Sequence, residues 1–215
     1  MTPKPCILIA GPTAGGKSAL AVAVAKAVGG VVINADSMQV YHPLLILTAR
    51  PTSTDEAGVA HRLYGVVSGE TRFSVGRWLA RATAEIDAAR GQGLVPVLVG
   101  GTGLYFKALL GGLAEIPDIP GDVRAHWADV SQAGGPAQLA RELARLDPAM
   151  AARLEPGDRQ RMVRALEVMS ATGRSLADWQ NDTAPPALAT AQTVRIVLSP
   201  ARADIHARIA RRVDA

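Results

Sequence analysis

The eight residues Gly11-Pro12-Thr13-Ala14-Gly15-Gly16-Lys17-Ser18 constrain this chain more than any other feature, because they match G-x-x-x-x-G-K-[ST] in a setting that gives the pattern physical meaning. Before them runs Cys6 to Ala10, an apolar stretch of strand length. After them runs Lys17 to Val28, alanine-rich and of good helix propensity, stopped by Gly29-Gly30. Between a strand and a helix, Gly11 and Gly16 permit a tight turn, and successive backbone amides face a concavity that holds phosphate oxygens. Lys17 adds a point charge, and the Ser18 hydroxyl is placed to ligate Mg²⁺. The new helix presents the positive end of its dipole to the same phosphates. The motif predicts a diphosphate-bearing ligand and leaves open which one.

The second apolar run, Val31-Val32-Ile33, ends at Asn34-Ala35-Asp36-Ser37 and completes a strand–helix–strand unit, which implies a parallel sheet with right-handed crossovers. A second unit follows. Ser74 is placed to cap a helix with Val75, Trp78, Leu79, Ala82, Ile86 and Ala89 on its apolar face, ended by Gly91 and Gly93. Val95 to Val99 is a buried strand, and Gly100-Gly101-Thr102-Gly103 turns into a helix over Leu104 to Leu110. Two glycine-rich turns after two strands put both loops at the carboxyl edge of one sheet, where such sheets bind ligands.

Composition changes after Pro117. From Asp118 to about Ala189 there is no β-branched run, only short helices punctuated by Gly134-Gly135-Pro136, Asp147-Pro148 and Glu155-Pro156-Gly157. The strongest is Arg159 to Thr172, capped by Asp158 and closed by Gly173. A strand returns over Thr193 to Leu198, then a helix from about Ala201. The expected fold class is α/β, a P-loop NTPase-like parallel sheet flanked by helices, with a small helical insertion domain. Residues 1–117 and 190–215 form the discontinuous core domain and 118–189 the insert. The last residues lie inside a helical pattern with no closing signal, so a continuation is expected.

The single cysteine, Cys6, excludes an internal disulfide and reads as a buried inert thiol. The first apolar stretch runs straight into the phosphate motif, so it is a strand and not a leader, and no run is long enough to span a membrane. A cytoplasmic location and a monomer are expected. A net charge of +4 permits a polyanionic partner without requiring one. Metal-ligand clusters and Ser–His–Asp arrangements are absent from the sequence.

Three further features carry chemistry or its bland alternative. Asp36, at the end of the second strand, is either a carboxylate near the phosphates that accepts a proton or holds a metal-bound water, or a turn cap. Thr102 is either a positioned hydrogen-bonding group or a helix N-cap. Arg161 and Arg164, three apart on one helix, either bind nucleic-acid phosphates or form a solvated face.

Taken together, GPTAGGKSALA, NADSMQVY over Asn34 to Tyr41, Thr48-Ala49-Arg50-Pro51, VGGTGLYFKALLGGL over Val99 to Leu113 and DRQRMVRALEV over Asp158 to Val168 resemble the tRNA dimethylallyltransferases. The resemblance spans essentially the whole chain. It implies that Gly11 to Ser18 hold dimethylallyl diphosphate rather than ATP, with Mg²⁺. The five-carbon group then passes to the exocyclic amine of the adenosine 3′ of the anticodon. By position, Asp36 matches the carboxylate that takes the amine proton, Thr102 a threonine beside the reacting centre, and Lys17 a group neutralising the leaving diphosphate. Arg208 or Arg212 matches an arginine with the same task. Asp36, Ser37, Met38 and Gln39, with Gln160, Arg161, Met162, Val163 and Arg164, match segments contacting the tRNA anticodon stem-loop, and Arg124 and Thr102 match further positions near the RNA. Leu45 and Leu47 stand where the family commonly has an acidic residue and a glycine, and Val213 where an aromatic is usual.

The rival expectation is a P-loop kinase of a metabolite or nucleotide, using Asp36 as base. It leaves the Gly100–Tyr105 turn without a role. A nucleotide-binding switch is disfavoured because no guanine-specifying N-K-x-D occurs in the chain.

Overall fold

In the computed structural model, residues 4–189 and 192–213 are described, without the side chains of 212 and 213. The strands are β1 (Cys6–Ala10), β2 (Gly30–Asn34), β3 (His61–Arg62), β4 (Val95–Gly100) and β5 (Thr193–Val197). They pair in the order β3-β2-β4-β1-β5, every pair parallel. The central strands read as unbroken apolar runs because both faces of the sheet are covered. Alternate residues go to opposite sides. Cys6, Leu8, Ile33 and Leu98 pack with Trp78, Ala82 and Ile86. Ile7, Ile9, Val32, Val97 and Val99 pack with Ala21 and Ala25 on the other side. Cys6 is fully buried, and burial pushes its thiol up to about 12, against a smaller opposing effect of Arg90. It is the inert core residue expected.

The helices covering the sheet are α1 (Lys17–Val28), α3 (Val75–Gly91) and α4 (Gly103–Gly111), with a short α2 (Ser53–Glu56) in a connection and α9 (Arg202–Val213) following β5. Ser74 caps α3 as expected, its side chain accepting from the Arg77 amide. Val75 and Leu79 are half-buried at the edge of the apolar face, while Trp78, Ala82, Ile86 and Ala89 are buried.

The chain divides into two compact units, Met1–Gly111 with Pro186–Ala215, and Gly112–Pro185. The second holds α5 (Gly121–Leu146), α6 (Pro148–Ala151), α7 (Arg159–Thr172) and α8 (Leu176–Asn181). α5 is broken at Gly135, whose backbone is non-helical, just before Pro136. α7 has the predicted bounds, with Asp158 accepting from the Arg161 amide and Gly173 left-handed at its end. The core of this unit is built from Trp127, Leu139, Leu143, Met162 and Leu166.

No described helix is long and apolar enough to cross a membrane.

Candidate active site

Three loops leave the carboxyl ends of β1, β2 and β4, and they build one polar edge. The loop after β1 enters α1 at Gly16, which is left-handed with φ 87° and caps the helix without any side-chain hydrogen bond. Ala14 is also left-handed, at φ 58°. Such alternation turns successive amides toward one concavity. The first turn of α1 has no acidic residue, so its unmatched amide donors remain for an anion.

These residues wall a cavity of about 220 Å³, lined by Thr13 to Ala19, Asp36, Gln39, Thr48, Ala49, Tyr64, Val99 and Gly100. Lys17 is half-buried, and its ammonium donates to the Pro12 carbonyl at 2.7 Å. Burial lowers its pKa below the ordinary lysine value, partly opposed by the Asp36 carboxylate. Arg208, from α9, reaches back over the loop and donates to the Ala14 carbonyl at 3.4 Å. The side chain of Arg212, the alternative arginine, lies outside the described residues.

Asp36 is held by a residue that sequence reasoning passed over. Asn34 is fully buried. Its amide group accepts from the Asp36 N–H at 2.9 Å and donates to the carbonyls of Asp36 at 3.0 Å and Leu63 at 3.2 Å. The Asn34 carbonyl in turn accepts from the Trp78 indole at 2.9 Å, and that indole stacks on Tyr105 with ring centroids 4.1 Å apart. Trp78, expected as plain core, therefore also fixes the end of β2. The Asp36 carboxylate accepts from the Met38 amide at 2.9 Å, so it does form a turn while still lining the cavity. Gln39 donates to the carbonyls of Thr48 and Ala49, which closes the cavity wall.

Thr102 joins the loop after β4 to the loop after β2. Its hydroxyl accepts from the Ser37 amide at 2.9 Å and lies 3.3 Å from the Ser37 hydroxyl. The glycines before it serve the protein's own backbone first. A Cβ on Gly100 would sit 2.0 Å from the Ala35 carbonyl oxygen, so only glycine lets β4 and β2 approach at this edge.

The donors present suit a magnesium ion carried in by phosphates. Among the described residues no group of three acidic, histidine or cysteine side chains exists to hold a resident ion. The Ser18 hydroxyl is exposed on the cavity wall. Magnesium favours such sites, in which a ligand's phosphate oxygens and water complete the shell.

Within the second unit, Arg124 is half-buried and Gln160 exposed. Arg161 pairs with Asp158 at 3.2 Å and Arg164 with Glu167 at 3.6 Å, each three residues away in sequence. Met162, expected to contact RNA, is corrected: it is 1% exposed and its side chain packs in the core, with Val163 half-buried against the same cluster.

Fold and site together define an α/β protein of the P-loop type. The family model for IPP transferase matches residues 39–215, and that for isopentenyl transferase residues 5–72. The chain belongs to the IPP transferase family. The tRNA dimethylallyltransferase of Rhodopseudomonas palustris strain BisB18 is 54% identical over 97% of this chain and 66% of its own length. That of Rhizobium leguminosarum bv. trifolii is 55% identical over 94% of this chain and 68% of its own. The chain thus spans about two thirds of the length of the curated relatives it matches. Among solved structures, a eukaryotic dimethylallyltransferase acting on tRNA matches at TM-score 0.81 and 27% identity, covering 98% of this chain and 52% of that one. The full-length tRNA isopentenylpyrophosphate transferase of Bacillus halodurans matches at 0.61 and 35%, covering 98% and 65%. These relatives do not favour the kinase expectation.

Proposed function

We propose that the protein transfers a dimethylallyl group from dimethylallyl diphosphate to the exocyclic amine of the adenosine immediately 3′ of the anticodon in tRNA, releasing diphosphate. The observation that carries this reading is the shared cavity: an anion cradle and the Asp36 carboxylate face the same space, in a chain of this family.

The chemistry follows from the groups present. The amine nitrogen attacks the first carbon of the allylic diphosphate, a C–N bond forms, and the C–O bond breaks with its electron pair leaving on diphosphate. The Asp36 carboxylate receives the proton that the amine must lose. Lys17, the amides of residues 13–18 and Arg208 neutralise the charge that gathers on the leaving oxygens. Magnesium, when bound, adds to that neutralisation and would be held by the Ser18 hydroxyl and the phosphates. Positioning is expected to contribute most, since an exocyclic amine is a weak nucleophile and the base must be drawn from its stack. Ser37, Met38 and Gln39 beside Asp36 would meet the RNA near the reacting base. Thr102 would orient that segment through its bonds to Ser37. Arg124, Gln160, Arg161 and Arg164 offer polar contacts from the second unit.

The test is incubation of the protein with radiolabelled dimethylallyl diphosphate and unmodified tRNA. Label is expected in the RNA at an adenosine. Turnover of ATP without RNA, and no label transfer, would return the chain to the kinase reading.

A further inference from the structure

Outside the cavity, the first unit carries a second groove of about 390 Å³. It is lined by the apolar Val66, Val67, Phe73 and Ala80 together with Ser68, Thr71, Arg77 and Arg81. No acidic side chain lines it. The Arg81 guanidinium lies over the Phe73 ring, 5.5 Å from its centroid, which holds the charge in place. Arg77 donates one N–H to the Arg72 carbonyl at 3.2 Å and keeps its other donors. Arg62, Arg145, Arg161, Arg164 and Arg174 all have carboxylate partners, whereas Arg72, Arg77 and Arg81 have none among the described residues. Glu70, close by in sequence, is exposed and does not line the groove.

The groove is tied to the catalytic segment. The Val67 amide donates to the Val40 carbonyl at 3.0 Å, and the His42 amide to the Val67 carbonyl at 2.8 Å. Asp36 and Tyr41 are joined by five residue steps, at most about 18 Å of chain, and Val67 is bridged to Tyr41. Arginines without carboxylate partners beside apolar and aromatic side chains match the chemistry of single-stranded RNA, whose phosphates seek guanidinium groups and whose splayed bases seek apolar and aromatic surface. The volume is in the range of small-molecule sites.

We propose that this groove seats one nucleotide of the substrate RNA beside the reacting adenosine, its phosphate on Arg77 and Arg81 and its base on Phe73 and Val66. This rests on the tRNA reading above.

The experiment is filter binding of an unmodified anticodon stem-loop across a salt series, with wild type, the Arg77→Ala/Arg81→Ala double variant and the Arg77→Lys/Arg81→Lys double variant. Polyglutamate serves as competitor, and dimethylallyl diphosphate binding as the control for the fold. The alanine variant should bind the stem-loop about tenfold more weakly at low salt, with a salt slope lower by about 0.7 for the one phosphate lost, while binding the diphosphate as wild type does. The lysine variant should recover most of the slope. An unchanged slope in the alanine variant overturns the groove and leaves the tRNA reading standing. An equal loss of affinity for polyglutamate also overturns it, as general anion attraction. No stem-loop binding by wild type overturns both.

Discussion

Asn34 in the first unit and Asp147 in the second are both buried among apolar neighbours, and the two are used in opposite ways. Asn34, in the first unit, spends its amide group on the backbone of Asp36 and Leu63, and so aims a loop at a cavity. Asp147, in the second, is 2% exposed and spends both carboxylate oxygens inward. It accepts from the Ser175 hydroxyl at 2.9 Å on each oxygen, and from the Met150 amide at 3.1 Å, which caps α6. One buried polar group prepares a surface for chemistry; the other ties helices together. The lesson is that burial and hydrogen bonding alone do not mark a functional residue. What the held segment faces decides it.

The contrast can be broken by mutation. The largest effect is expected for Asp36→Asn, which should keep diphosphate binding and slow single-turnover transfer by roughly two to four orders of magnitude. An unchanged rate would reduce Asp36 to the turn it makes with Met38. Next come the two buried polar groups. Asn34→Ala and Asp147→Ala should each destabilise by about 1–3 kcal/mol in urea unfolding, since each leaves buried partners unmatched. Only Asn34→Ala should also slow transfer at saturating substrate. Equal slowing by both would erase the distinction. The smallest effect on stability belongs to Arg161→Ala and Arg164→Ala, below about 1 kcal/mol, because their ion pairs are surface pairs within one helix. Their effect on tRNA should appear instead as a salt slope lower by roughly one unit per contact. An unchanged slope means that this face meets only solvent.

Much of the first unit was legible because local signals and tertiary demands agree there. The apolar runs of β1, β2 and β4 are long enough to need cover on both faces, and the cradle residues are defined by spacing. α7 was read with its true ends because Asp158 and Gly173 are local signals. β3 was invisible. His61-Arg62 has no strand character and is extended only because Val32 and Ile33 offer it an edge. Asn34 was missed for a related reason: its three bonds reach as far as Leu63, and no spacing rule records them. Tyr64 likewise reaches the cavity by tertiary placement alone. Met162 was assigned with its neighbours as a block, although a helix turns one residue in three or four inward. The ion pairs of Arg161 and Arg164 could have been read, since Asp158 and Glu167 stand three residues away on the same face.

The parallel pairing of β1 with β5 has a consequence in time. Cys6 lies beside Thr193, and the Ala10 carbonyl, the last before the phosphate loop, accepts from the Leu198 amide at 2.8 Å. On the ribosome, β1 stays without this neighbour until residue 198 follows it, roughly 10 to 40 s later at ordinary synthesis rates. The contacts of the second unit are local by comparison and can form while β1 still waits. The anion cradle that follows β1 therefore gains this support only well after its own residues have been made.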